Sequence, residues 1–263
     1  MSTLSYALRD SSTMLRRNLK RAVRYPSMTL MLIGIPVIFL LLFVYVFGAT
    51  LGDGLGGASG GRSAYANYVV PGILLISLAG AATGTAVSVA MDMTEGVVDR
   101  FRTMAIFRPS VLTGHVVGSV IQTMLGYAAV VGVALLVGFE PNATPIEWVA
   151  AAGVLLMITF AVAWFAVACG LVTKSVETAS NLPMPLTLLP FLGSGFVPTE
   201  SMPTVIGWFA RYQPFTPVME TLRGLLLGTG IGVNGALAVA WCAAITIGCY
   251  LWSRLLYNRD PSR

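Results

Sequence analysis

Six apolar stretches, separated by polar or glycine-rich sequence, divide most of this chain: 28–47, 68–91, 115–139, 146–171, 182–197 and 234–257. Most reach the roughly 20 residues that an α-helix needs to cross a ~30 Å hydrocarbon core at 1.5 Å per residue. The composition agrees, because hydrophobic residues make up 56% of 263 and charged residues only 10%, against roughly 25% charged in a soluble domain. So few charges cannot clothe a water-soluble surface of this size. The sequence predicts one all-α integral membrane domain over 1–263, with six transmembrane helices in 28–257 and a cytosolic interfacial helix in 1–26.

Charge placement sets the orientation. With the N-terminus inside, the cytosolic segments carry Arg9, Arg16, Arg17, Lys20, Arg21 and Arg24, then Arg100, Arg102 and Arg108, then Lys174, then Arg254, Arg259 and Arg263. Only Arg62, Arg211 and Arg223 remain outside. Such a bias places both termini in the cytosol. The long basic start and the spanning-length stretch after it differ from a cleaved signal peptide. The net charge of +5 flanks apolar segments instead of forming a stripe, which points to anionic lipid and away from nucleic acid. Within 2–25, Leu4, Leu8, Leu15, Leu19 and Ala22 share one helical face opposite Arg9, Arg16, Lys20 and Arg24. That pattern predicts an amphipathic helix at the interface, carrying Arg16, Arg17, Lys20 and Arg21, before Pro26 turns the chain into the membrane.

The connections differ in character. Gly48, Gly52, Gly54, Gly56, Gly57, Gly60 and Gly61 predict a flexible external loop. The fifth apolar stretch is short and holds Pro183, Pro185 and Pro190, so its early turns are irregular and its freed carbonyls need partners. The region after it, 198–233, mixes Trp208, Phe209, Tyr212 and Phe215 with Pro203, Pro214 and Pro217. Short external helices at or dipping into the outer leaflet are expected there.

A search for chemistry within the chain finds little. Lys174-Ser175 follows Gly170, but Thr173 stands where a phosphate-binding loop requires glycine. No span carries Lys, Arg, Asp or Glu near its middle, as ion coupling at membrane depth would require. His115, the only histidine, reads as an interfacial side chain at the cytosolic mouth of the third span. Cys169, Cys242 and Cys249 lie in apolar stretches without further ligands nearby, so neither a metal site nor catalytic residues are expected.

Work must therefore arrive from outside, and the loop 92–114 is the place for it. Asp92, Glu95, Asp99, Arg100, Arg102 and Arg108 alternate around Val97, Val98, Phe101, Met104 and Phe107. Acids lead and bases trail, which suits a short helix, and the apolar residues form a stripe that a soluble partner could grip. The alternative is a solvated connection.

The run Glu95-Gly96-Val97-Val98-Asp99-Arg100-Phe101-Arg102 resembles the first cytosolic loop of ABC-2 type transporter permeases of the daunorubicin-resistance (DrrB-like) branch. Tyr68-Val69-Val70-Pro71-Gly72 is similar to that family's second span. The stretches Ser194–Pro198, Ser201–Pro203, Pro214–Pro217 and Leu222–Gly228 are similar to its region before the last span. The likeness covers most of the chain, departing where Met104-Ala105 stands in place of a common Leu-Pro. The resemblance implies a type V exporter-like permease in a bacterial plasma membrane. It implies pairing with a second permease copy or a related permease, and two copies of a separate ATPase subunit that bind ATP and Mg. It assigns ATPase contact to Glu95, Gly96, Val97, Asp99, Arg100, Phe101 and Arg102. It also places spans two and five along the path, where Ser77, Gly80, Gly84, Ser88, Thr187 and Phe191 are the candidates. Close packing within one monomer is the competing account of the Gly80/Gly84 pair. The cargo implied is an amphipathic drug or lipid-like compound. A lipid-linked glycan exporter and an ATP-independent channel or scaffold are the alternatives.

Overall fold

The computed structural model describes residues 26–56, 61–95, 109–173 and 175–257, together with 13, 15 and 16. Among the described residues every regular element is helical. They are α1 (Pro26–Leu42), continued by a π-helical turn Phe43–Phe47 into α2 (Gly48–Gly56), then α3 (Arg62–Thr94), α4 (Pro109–Leu136), α5 (Pro145–Val172), α6 (Val176–Asn181), α7 (Thr204–Tyr212), α8 (Phe215–Leu227) and α9 (Asn234–Tyr257). Among the described residues, five helices are long and apolar enough to cross a membrane: Leu30–Gly52, Arg62–Thr94, Val111–Leu136, Pro145–Val172 and Asn234–Tyr257.

The centre of the bundle is α3 against α5. In each, 72% of the most apolar stretch is buried, against 17% in the first spanning helix and 11% in the last. Lipid tails are as apolar as the side chains, so close contact, and not water exclusion, holds such helices together. The contact is close because of glycine. A Cβ at Gly170 of α5 would lie 2.7 Å from the Ala86 carbonyl and from Val89 Cβ of α3. Around this axis α1 packs on α3 and α4, and α9 packs on α5 and α8. The start of α5 is fixed by a capping box. Thr144 N–H donates to Glu147 Oε2 (2.6 Å) and Glu147 N–H donates back to Thr144 Oγ1 (3.4 Å), with Pro145 at the first helical position.

Two expectations are corrected and one is extended: the fifth apolar stretch, expected to be irregular in its early turns, is irregular along most of its length. It consists of a 3-10 turn, Met184–Thr187, followed by hydrogen-bonded turns through Phe196. Its prolines remove the N–H groups that an α-helix would use. The glycine-rich stretch expected as a loose loop is helical as far as Gly56. Glycine serves approach there, because a Cβ at Gly52 would collide with the backbone of Gly61. Finally, the expected external helices exist as α7 and α8, but only α7 is exposed; α8 is buried along nearly its whole length. Gly228, at φ +69°, ends α8 in the left-handed conformation that glycine adopts freely.

The two uses of glycine in α5 separate cleanly by experiment. Gly170→Ala should destabilise the detergent-solubilised protein by about 1–3 kcal/mol through overpacking. Gly153, with nothing within 4 Å of its Cβ position, should accept alanine with no loss or a gain of up to about 1 kcal/mol. Denaturant or thermal unfolding of both variants in one detergent checks the contrast.

Candidate functional site

The segment 182–197 is the part of the bundle whose backbone most needs explanation. α3 is 33 residues long, about 50 Å at 1.5 Å per residue, so Gly72 lies within a ~30 Å core centred on it. Gly195 is packed on Gly72, and a Cβ at position 72 would fall 2.8 Å from the Gly195 carbonyl oxygen. Non-helical backbone is therefore held at membrane depth, where unpaired carbonyls are costly.

Two side chains from the α7–α8 hairpin answer that cost. Gln213, 4% exposed at the corner between the helices, donates from Nε2 to the Leu189 carbonyl (2.8 Å). Arg223, inside α8 and 9% exposed, donates from Nη2 to the carbonyls of Ser194 (2.8 Å) and Tyr68 (3.0 Å). Its charge is matched by Glu220 at 2.6 Å, and its guanidinium lies 3.9 Å from the centre of the Tyr68 ring. One side chain thus ties α8, α3 and the irregular segment together. The sequence reading placed Arg223 in an external connection. A lone cation within the apolar run Leu222–Leu227 was the signal that it is buried.

Aromatic packing closes the same region. Phe191 and Phe196 of the irregular segment stack at 4.6 Å. Phe43, in the π-helical turn, meets Phe196 at 4.4 Å and Phe191 at 6.4 Å, and Phe39 meets Phe191 at 6.1 Å. A π-turn shifts the register of side chains along a helix. Here it delivers Phe43 and Phe47 to one cluster, which the hydropathy of the stretch could not reveal.

The candidate path residues separate into groups. Gly80 and Gly84 are exposed along one face of α3, with half-buried Ser88 one turn further on. The nearest neighbour of a Cβ at Gly80 would be Leu32 of α1 at 3.9 Å, and Gly84 has open space. Ser77 differs: it is 2% exposed and donates back to the Ile73 carbonyl. Half-buried Thr187 ends the 3-10 turn that packs on α3, and Phe191 belongs to the aromatic cluster.

At the far end of α3, Glu95 is exposed and caps the helix, its N–H donating to the Met91 carbonyl (2.9 Å). Gly96, Val97, Asp99, Arg100, Phe101 and Arg102 lie outside the described residues, as do Arg17, Lys20 and Arg21. Arg16 is exposed in helical conformation. His115 stands at the end of its helix as the sequence suggested, but it does not face lipid headgroups. It is 5% exposed, with Nε2 2.9 Å from Oδ2 of Asp92, itself 4% exposed.

Replacing Arg223 by alanine should cost about 2–4 kcal/mol, since it strands the buried Ser194 carbonyl, removes the contacts with Tyr68 and uncouples Glu220. Lysine should recover only part, because a point charge cannot reproduce the guanidinium fork. Unfolding in detergent gives the ranking, native above lysine above alanine.

Comparison with known proteins places this architecture. Residues 10–227 match the ABC-2 type transporter family. The chain is 28% identical over 257 residues to the daunorubicin resistance ABC transporter permease protein DrrB1 of Streptomyces coeruleorubidus, covering 97% of this chain and 88% of that one. It is 22% identical over 226 residues to the probable doxorubicin resistance ABC transporter permease protein DrrC of Mycobacterium tuberculosis, covering 85% of this chain and 80% of that one. ABC transporter G family member 20 of Dictyostelium discoideum is 26% identical over 179 residues, 66% of this chain and 24% of that protein. With most of its length matched and a multi-pass helical bundle to carry it, this chain belongs to the ABC-2 type transporter family.

Proposed function

We propose that the chain is the membrane permease subunit of an ATP-driven ABC exporter, moving an amphipathic drug or lipid-like compound out of a bacterial cell. The observation that carries this reading is likeness over nearly the whole chain to permeases named for daunorubicin and doxorubicin resistance. The steep bias of Lys and Arg supports cytosolic termini in a plasma membrane. In that orientation α3 and α4 deliver the loop 95–108 to the cytosol, where Glu95 opens the contact with a separate ATPase subunit. ATP and Mg belong to that partner, present in two copies.

A second permease, identical or related, completes the unit. Leu188, Phe191 and Leu192 are exposed on turns that lipid tolerates poorly, since irregular backbone at depth is found against protein or water-filled space. A partner copy over this segment would cover it and enclose the small-residue face Gly80–Gly84–Ser88. The irregular segment then completes a sixth crossing, with α6 against α3 at one end and Gly195 against Gly72 further along. Phe191, Phe196, Phe39 and Phe43 form the outer closure of the path, and Thr187 lies below it. Nucleotide-driven motion of the loop would shift the balance between inward- and outward-open arrangements by differential binding to them.

The permease should copurify with a soluble ATPase in mild detergent, and the reconstituted pair should drive ATP-dependent dye or anthracycline efflux. Charge reversal at Glu95 and Arg100 together should lower efflux by roughly tenfold or more with membrane insertion unchanged, one close charge contact being worth that much. Uphill accumulation by the purified permease without an ATPase would overturn the reading.

A further inference from the structure

Asp92 and His115 flank the loop 95–108, three residues before it and seven after. Asp92 lies in the last turn of α3 and His115 two turns into α4. Their side chains meet at 2.9 Å, both nearly removed from solvent. On the same helices Val89 of α3, Leu112, Val116 and Val120 of α4, Trp164 and Val167 of α5, and Tyr257 at the end of α9 form one buried cluster. A second polar rung lies deeper between the same helices, where Thr85 Oγ1 donates to Ser119 Oγ at 2.7 Å.

A carboxylate costs a great deal to bury, and apolar residues of like volume would pack α3 on α4 at lower cost. Removing one partner of such a pair is disruptive, so the pair behaves as a fixed joint rather than a sliding one. Its place matters more than its strength. A loop whose two roots were joined only by apolar contacts could splay when pushed, and the push would be lost in bending. With the roots clasped, force on the loop moves α3 and α4 as one body. α3 also carries the Gly80–Gly84–Ser88 face and, at its other end, the Arg223 tie to the irregular segment.

We infer that Asp92 and His115 are positioning residues for transport, a clasp at the base of the loop that converts movement of the bound ATPase into joint movement of α3 and α4. The inference rests on the reading of the loop as the ATPase contact. It assigns no substrate contact to either residue.

The test uses the full permease with its ATPase subunit in proteoliposomes, measuring ATP hydrolysis and dye export in the same sample. In Asp92→Ala and His115→Ala the complex should still assemble and hydrolyse ATP, while export per ATP falls roughly fivefold or more, the usual span of a coupling between sites. Asp92→Asn, which keeps side-chain shape, is the milder variant should alanine impair folding, and its export per ATP should also fall. Exchanging the partners, Asp92→His with His115→Asp, should restore most of the lost export, a coupling that a double-mutant cycle isolates. Native export per ATP in the single variants would overturn the clasp. So would variants that lose assembly and stability without rescue by the exchange, since the pair would then serve folding alone. A native permease that binds no ATPase would instead remove the reading of the loop, and the clasp with it.

Discussion

Hydrocarbon offers no hydrogen bonds, so each backbone carbonyl at membrane depth must find its donor within the protein. For α4, α5 and α9, and for α3 away from Pro71, the helix itself meets that requirement. The segment 182–197 cannot, because Pro183, Pro185 and Pro190 withdraw donors and the chain coils through a 3-10 turn and successive turns. The α7–α8 hairpin exists in its observed place because it carries the missing donors. Gln213 reaches Leu189, and Arg223 reaches Ser194 and Tyr68. An arginine is costly to bury, and the cost is offset by Glu220, by the Tyr68 ring and by hydrogen bonds to the Ser194 and Tyr68 carbonyls.

Close approach is the companion constraint. Gly72 against Gly195, and Gly170 against Ala86 and Val89, bring backbones to distances that no side chain permits. Such contacts make α3 a central member of the bundle. It meets the irregular segment near one end, packs along α5, and carries Asp92 and Glu95 at the other end. A single helix of 33 residues thus runs between the proposed inner input and the proposed outer closure. That continuity is a physical basis for coupling across the bilayer, since packed bundles rearrange between discrete arrangements instead of deforming smoothly.

The likeness to drug-resistance permeases and the geometry address different questions. The former bears on what the chain belongs to. The latter identifies where exposed small residues, an aromatic cluster and a capped loop root occur in one molecule. The aromatic cluster draws on both α1 and the irregular segment, so it joins two elements that must part if a path opens between them. Rings in offset contact hold such a junction with modest energy, roughly 0.5–1.5 kcal/mol per pair, which suits a closure that has to open.

Hydropathy and charge were enough to fix the membrane class, the all-helical architecture and the position of most crossings; the last helix, Asn234–Tyr257, coincides with its apolar stretch. They were enough because a hydrophobic run of that length has one good solution in lipid, whatever its neighbours. The prolines of 182–197 foretold irregularity, and even the need for donors, but not which side chains would supply them. Arg223 read as an external charge and His115 as an interfacial one, because burial of a polar group is decided by the partner it meets, and Tyr68, Ser194 and Asp92 become partners only when segments distant in sequence pack. In the same way glycines at 48–56 signalled flexibility to a local reading and became helix where Gly52 met Gly61. Local sequence sets how each segment can satisfy its own backbone; only the packed bundle sets which polar groups and which glycines satisfy one another.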